Sequence, residues 1–110
     1  MTATATRAAR LAAYIAETIT IIDGLKADLA VAETAYDAAY DRYDSRKAAF
    51  LNGEGSLADL KAEYRLVLEA CHEVTHLQSC IADQGVALAN FQEQLANKLD
   101  ILEMDWLMEF

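Results

Sequence analysis

Apolar side chains recur along this chain at alternating steps of three and four residues, with one clear break near the middle. From Ala8, a seven-residue step lands on Ile15, Ile22, Leu29, Tyr36, Tyr43 and Phe50, with Leu11, Thr18, Leu25, Ala32, Ala39 and Arg46 as companions. A strand has period two and cannot produce this spacing, so the pattern predicts an amphipathic helix with a coiled-coil seam about six heptads long. After the break, the same step from Leu60 gives Val67, Val74, Ile81, Leu88, Leu95 and Leu102. Its companion row reads as Leu57, Tyr64, Cys71, Gln78, Gly85, Gln92, Leu99 and Trp106, a less regular set that would bring Gln78 and Gln92 inward. Buried glutamines need hydrogen-bond partners, so these two are candidates for fixing register or oligomeric state.

The break is Leu51-Asn52-Gly53-Glu54-Gly55-Ser56, the one cluster of glycines and small polar residues in a chain without proline. Gly53 suits the left-handed residue that ends a helix, and Ser56 followed by Asp59 resembles a capping box. Arg46 and Lys47 before the stop and Asp59 and Glu63 after the restart have the signs that complement the two helix dipoles. These features predict an all-α fold, a long antiparallel helical hairpin in one domain over residues 1–110: helix 3–51, turn 52–56, helix 57–108. Folding about this pivot makes residues whose numbers sum to about 107 face each other, pairing Tyr43 with Tyr64, Tyr36 with Cys71 and Ile22 with Gly85. Gly24 and Gly85 then fall at nearly the same height, where either close backbone approach or a shared flexible joint is expected, the unbroken phase of both helices favouring close approach. The heptad phase runs through both glycines, which favours continuous helices over a chain that breaks at them and folds back into a compact four-helix monomer.

The apolar positions exceed one narrow seam. Tyr14 and Ile21 with Leu77 and Phe91 are read as one flank, and Ile19 and Tyr40 with Leu68, Ala82, Ala89 and Ala96 as the other. A lone hairpin of this length, about 70 Å, buries only one stripe. Flanks this apolar suit a bundle, and a homodimer or higher homo-oligomer of hairpins, forming a four-helix bundle, is expected.

Charge narrows the partners. Nine basic and eighteen acidic residues among 110 leave a net charge of −9, which disfavours direct contact with nucleic acid or an anionic membrane and favours a protein partner. No apolar run reaches the roughly 18 residues of a membrane span, and no secretory signal is evident, so a soluble protein is expected. Arg7 and Arg10 in an acid-free start faintly resemble a transit peptide, but the apolar spacing there continues in phase with the helix. Cys71 and Cys80 are about 13 Å apart along one helix, too far to bond, which favours a reducing compartment, cytoplasmic or virion-associated.

Candidate chemistry is sparse. His72, His76 and Cys80, at four-residue steps on one helix face, are the available soft metal ligands, with Glu69, Glu73 or Asp83 as additions; a helical metal-binding bundle is therefore one alternative. Cys71 beside His72 cannot act as a nucleophile pair, because neighbours on a helix diverge by about 100°. Without a phosphate-binding loop or serine elbow, no enzyme activity and no cofactor are expected. Glu33, Asp37, Asp41 and Asp44 form an acidic line, diluted by Arg42, Arg46 and Lys47, which makes an acidic inhibitor mimicking nucleic acid a further alternative.

The C-terminal stretch carries the largest local anomaly, with Asp100, Glu103, Asp105 and Glu109 opposing the dipole of their own helix. Arg7 and Arg10 oppose the dipole at the start of the first helix, and the hairpin would bring Arg7 to Asp100, an exposed pair worth about 0.2–1 kcal/mol. Leu102, Trp106, Leu107 and Phe110, with Tyr14 and Phe91, are the expected partner-binding residues. The hairpin shape, the length, the acidity and Leu51-Asn52-Gly53 resemble the WXG100 family of secreted helical hairpins, with Leu51 where that family has Trp. No residue role is carried over from it. The function expected is non-enzymatic protein interaction or assembly, by self-association along the flanks and partner binding at the acidic, aromatic open end.

Overall fold

The computed structural model describes residues 3–108, with side chains described through residue 102. The chain is all-α: α1 spans Ala3–Leu51 and α2 spans Leu57–Met108, and the two pack as an antiparallel helical hairpin. Between them α1 closes with paired backbone bonds. The Glu54 N–H donates to the Ala49 carbonyl at 2.8 Å and the Gly53 N–H to the Phe50 carbonyl at 3.0 Å, the two bonds of a Schellman stop. Gly53 at φ 85° and Gly55 at φ 78° occupy the left-handed region, where a side chain would clash with its own backbone. Ser56 then starts α2: its Oγ accepts from the Asp59 N–H at 3.1 Å, and its carbonyl accepts the first helical bond, from Leu60.

Burial along α1 follows the three-four rhythm, with Ala8, Leu11, Thr18, Ile22, Ala32 and Ala39 buried and Ile15, Leu25, Leu29, Tyr36 and Tyr43 half-buried. Thr18 tolerates its place because its hydroxyl donates to the Tyr14 carbonyl at 2.7 Å. Arg46 and Phe50, at the end of the expected rows, depart from them and are exposed.

In α2 the row from Leu60 to Leu102 is inward, but its companion differs from the expected one. Glu63, Ala70, Leu77, Gln84, Phe91 and Lys98 are buried or half-buried, whereas Gln78, Gly85, Gln92 and Leu99 are exposed. The helix is rotated so that the step after each leading residue is three, not four. Gln78 and Gln92 therefore meet solvent and set no register, and Leu77 and Phe91 belong to the seam instead of a flank.

Both helices run unbroken through Gly24 and Gly85, so the chain does not break at these glycines into four shorter helices. A Cβ placed on either glycine would meet nothing within 4 Å, so neither supports a close helix approach. Both lie on outward faces.

Two compact units divide the chain: Leu25–Cys80 around the turn, and Met1–Gly24 with Ile81–Phe110, described here over residues 3–24 and 81–108. In the turn unit, the Tyr43 and Tyr64 rings meet at 5.4 Å, in line with the expected pairing. In the open unit, Tyr14 and Phe91 meet at 5.7 Å. Two helices cannot enclose a bulky residue on all sides, and no large side chain is fully buried among the described residues.

Candidate interaction surfaces

Tyrosines dominate one side of the turn unit. Tyr36, Tyr40 and Tyr43 follow helical steps of four and three, and their ring centroids lie 6.1 and 6.2 Å apart in succession. Tyr64, from α2, extends the series through its contact with Tyr43. All four rings are tilted against one another, the edge-toward-face preference of aromatic quadrupoles. Tyr36 and Tyr43 sit half-buried in the seam, while Tyr40 is 45% and Tyr64 48% exposed. A surface depression of about 400 Å³ is lined by Tyr36, Asp37, Tyr40 and Asp41.

The opposite side holds the charge-paired groups. Arg42 Nε lies 3.9 Å from Glu63 Oε2 and Arg46 Nε 3.9 Å from Glu63 Oε1. These separations allow Coulombic attraction but are too long for hydrogen bonds, and Glu63 Oε2 is buried without a hydrogen-bond partner. The Glu63 side chain is 19% exposed, so two cations share one poorly hydrated carboxylate. The sequence marks Glu63 only as an acid complementing the dipole at the start of α2. Its pairing with Arg42 and Arg46 is not legible there, because Glu63 lies on the row expected to face outward and its partners are on the other helix.

At the open unit, Tyr14 is exposed and Phe91 and Leu102 are half-buried. The expected Trp106, Leu107 and Phe110 contacts lie outside the described side chains, and Phe110 lies outside the described residues altogether. Arg7 does not pair with Asp100: among the described residues the ion pairs are the two at Glu63. Instead Arg7 and Arg10 line a surface depression of about 370 Å³ with Leu11, Tyr14, Gln94 and Lys98. Lys98 was not singled out in the sequence, because its row was placed on the wrong face.

His72 and His76 are exposed, and Cys80, half-buried, has Sγ 3.7 Å from His76 Nε2. Both cysteines are free thiols. Among the described residues no three His, Cys, Asp or Glu side chains converge as a metal-binding group would require. No described helix is long and apolar enough to cross a membrane. Comparison with protein families, characterised proteins and solved structures finds no match to this chain.

Proposed function

We propose that this chain is a non-enzymatic helical interaction and assembly protein, which self-associates through its apolar flanks as a four-helix bundle and engages a protein partner through the end bearing Leu102, Trp106, Leu107 and Phe110. The supporting observation is the apolar surface each unit leaves open. In the open unit Tyr14, Ile19, Ile21, Val86, Leu99 and Ile101 are exposed; in the turn unit Val31, Leu66 and Leu68 are, with Val31 at 72%. Scattered apolar residues are ordinary on a protein surface. Here they accompany a seam in which no large side chain among the described residues is fully enclosed, and a second hairpin laid against the flanks would cover more of this apolar surface.

Sedimentation equilibrium tests the assembly directly. The full chain is expected at twice its monomer mass or more, and a Val31→Lys, Leu68→Lys variant at the monomer mass with helicity retained. A monomeric full chain overturns the assembly. Removal of residues 104–110 is expected to abolish partner binding or self-association while leaving circular dichroism largely unchanged, and unaltered association would remove the open end from the proposal. Stoichiometric zinc in protein purified without a tag, lost in a His72→Ala, His76→Ala double variant, would replace this reading with a metal-binding bundle.

A further inference from the structure

We infer that the tyrosine and aspartate face of the turn unit is a docking surface for a basic segment of a partner protein, with arginine side chains seated over the rings and held by the neighbouring carboxylates. This surface is separate from the open end and from Val31 but includes Tyr40, one of the flank residues, so the mass of a Tyr40 variant is what distinguishes partner docking here from self-association.

At 100° per residue, Tyr43, Tyr36 and Tyr40 occupy an arc of about 60° on α1, and Glu33, Asp44 and Asp37 fall within about 60° beyond it. Rings and carboxylates therefore run side by side along the helix. Asp41 follows at the outer edge and lines the same depression as Tyr36, Asp37 and Tyr40. Arg42 and Arg46 interrupt the acidic line in sequence, and in space they adjoin only its outer edge, where they line a second depression with Asp41, Ser45 and Glu63. They lie on the other side of the seam, at Glu63, and leave Asp37, Asp41 and Asp44 exposed with no cation within 4 Å among the described residues. Lys47 shares the ring side one turn beyond Asp44, and it bounds the surface toward the turn.

The chemistry selects a cation. A tyrosine face attracts a guanidinium through its quadrupole, and a flanking carboxylate supplies the charge that a ring alone lacks. The ring spacings of 6.1 and 6.2 Å are close to one helical turn, so arginines three or four residues apart on a partner helix would fall into step with successive rings. The chain's net charge of −9 favours approach of such a segment over an acidic or neutral one. Another copy of this chain carries the same net charge of −9, and that like charge disfavours self-contact at an acidic face.

The test uses the full chain and an alanine-rich helical peptide with arginines at every fourth position, titrated by calorimetry at low salt. Its counterpart with citrulline keeps the shape and loses the charge, and is expected to bind at least tenfold more weakly. Tyr40→Leu, which keeps the apolar bulk and removes the ring, is expected to weaken the arginine peptide about threefold to fivefold, with Tyr40→Phe near the original affinity. Asp37→Asn with Asp41→Asn should cost about tenfold. Asp23→Asn with Asp28→Asn, an equal charge change elsewhere on α1, should cost less than twofold. The inference is overturned by absence of binding, by equal binding of the citrulline peptide, by an equal loss in the Asp23 and Asp28 control, or by a Tyr40→Leu variant that falls to a smaller mass, since the last would place a second copy on this face.

Discussion

The turn unit and the open unit are built from the same two helices and the same heptad rhythm, yet they are held by different means. Around the turn, a Schellman stop, a serine cap, four successive rings and a shared carboxylate supply directional contacts over Leu25–Cys80. In the open unit the inward row begins with Ala8, Leu11, Thr18 and Ile22, one ring pair joins the helices, and no ion pair occurs among the described residues. Separation along the chain adds to the contrast. Tyr43 and Tyr64 close a loop of about 20 residues, Tyr14 and Phe91 one of about 77, and the longer closure costs about 1 kcal/mol more if formed alone. The turn unit should therefore form first and serve as the template on which the open unit pairs.

The comparison can be broken most severely from the turn side. Val67→Asp places an unpaired charge in the turn-unit seam, where Val67 is 5% exposed, and is expected to cost about 3 kcal/mol or more. Denaturation followed by circular dichroism measures that loss, and hydrogen exchange should show protection falling in both units; a variant that loses protection only near Val67 contradicts the templating order. Leu11→Ala is expected to cost about 2 kcal/mol, at the low end for core leucines because only one partner helix covers it. Its exchange effect should stay within residues 3–24 and 81–102, and an equal effect near Tyr43 would mean the units do not differ in this way. Gly53→Ala is expected to cost about 1 kcal/mol through the left-handed backbone at that residue. Chevron analysis would sharpen the contrast, since a turn formed early should slow folding more than it speeds unfolding.

Much of this architecture is legible before any coordinates. The α1 seam could be read because Ile15, Ile22, Leu29, Tyr36 and Tyr43 leave a single inward row, and the turn because Gly53 and Ser56 have strong local preferences. The face of α2 was ambiguous for a physical reason. From Leu60, steps of three and four both give mixed rows: Leu77 and Phe91 lie among Glu63, Gln84 and Lys98 on one, and Tyr64 and Leu99 among Gln78, Gly85 and Gln92 on the other. Periodicity cannot separate two such rows, and the choice depends on packing against α1. The glycine expectation failed differently, because equal height along a hairpin does not imply facing directions, and Gly24 and Gly85 both point outward. For the tyrosine surface, spacing along α1 placed Tyr36, Tyr40 and Tyr43 near one another, but the withdrawal of Arg42 and Arg46 toward Glu63 depends on a residue of the second helix.

The Schellman stop followed by the Ser56 cap has a consequence for choice of orientation. Two heptad arms of this kind, if cut apart, could align parallel or antiparallel and slide by whole heptads, since each alternative still buries apolar rows. A tether of a few residues removes the parallel option and turns an encounter between molecules into one with an effective concentration of order millimolar. Two left-handed glycines and one serine hydroxyl thus act as an instruction about direction that neither arm carries by itself.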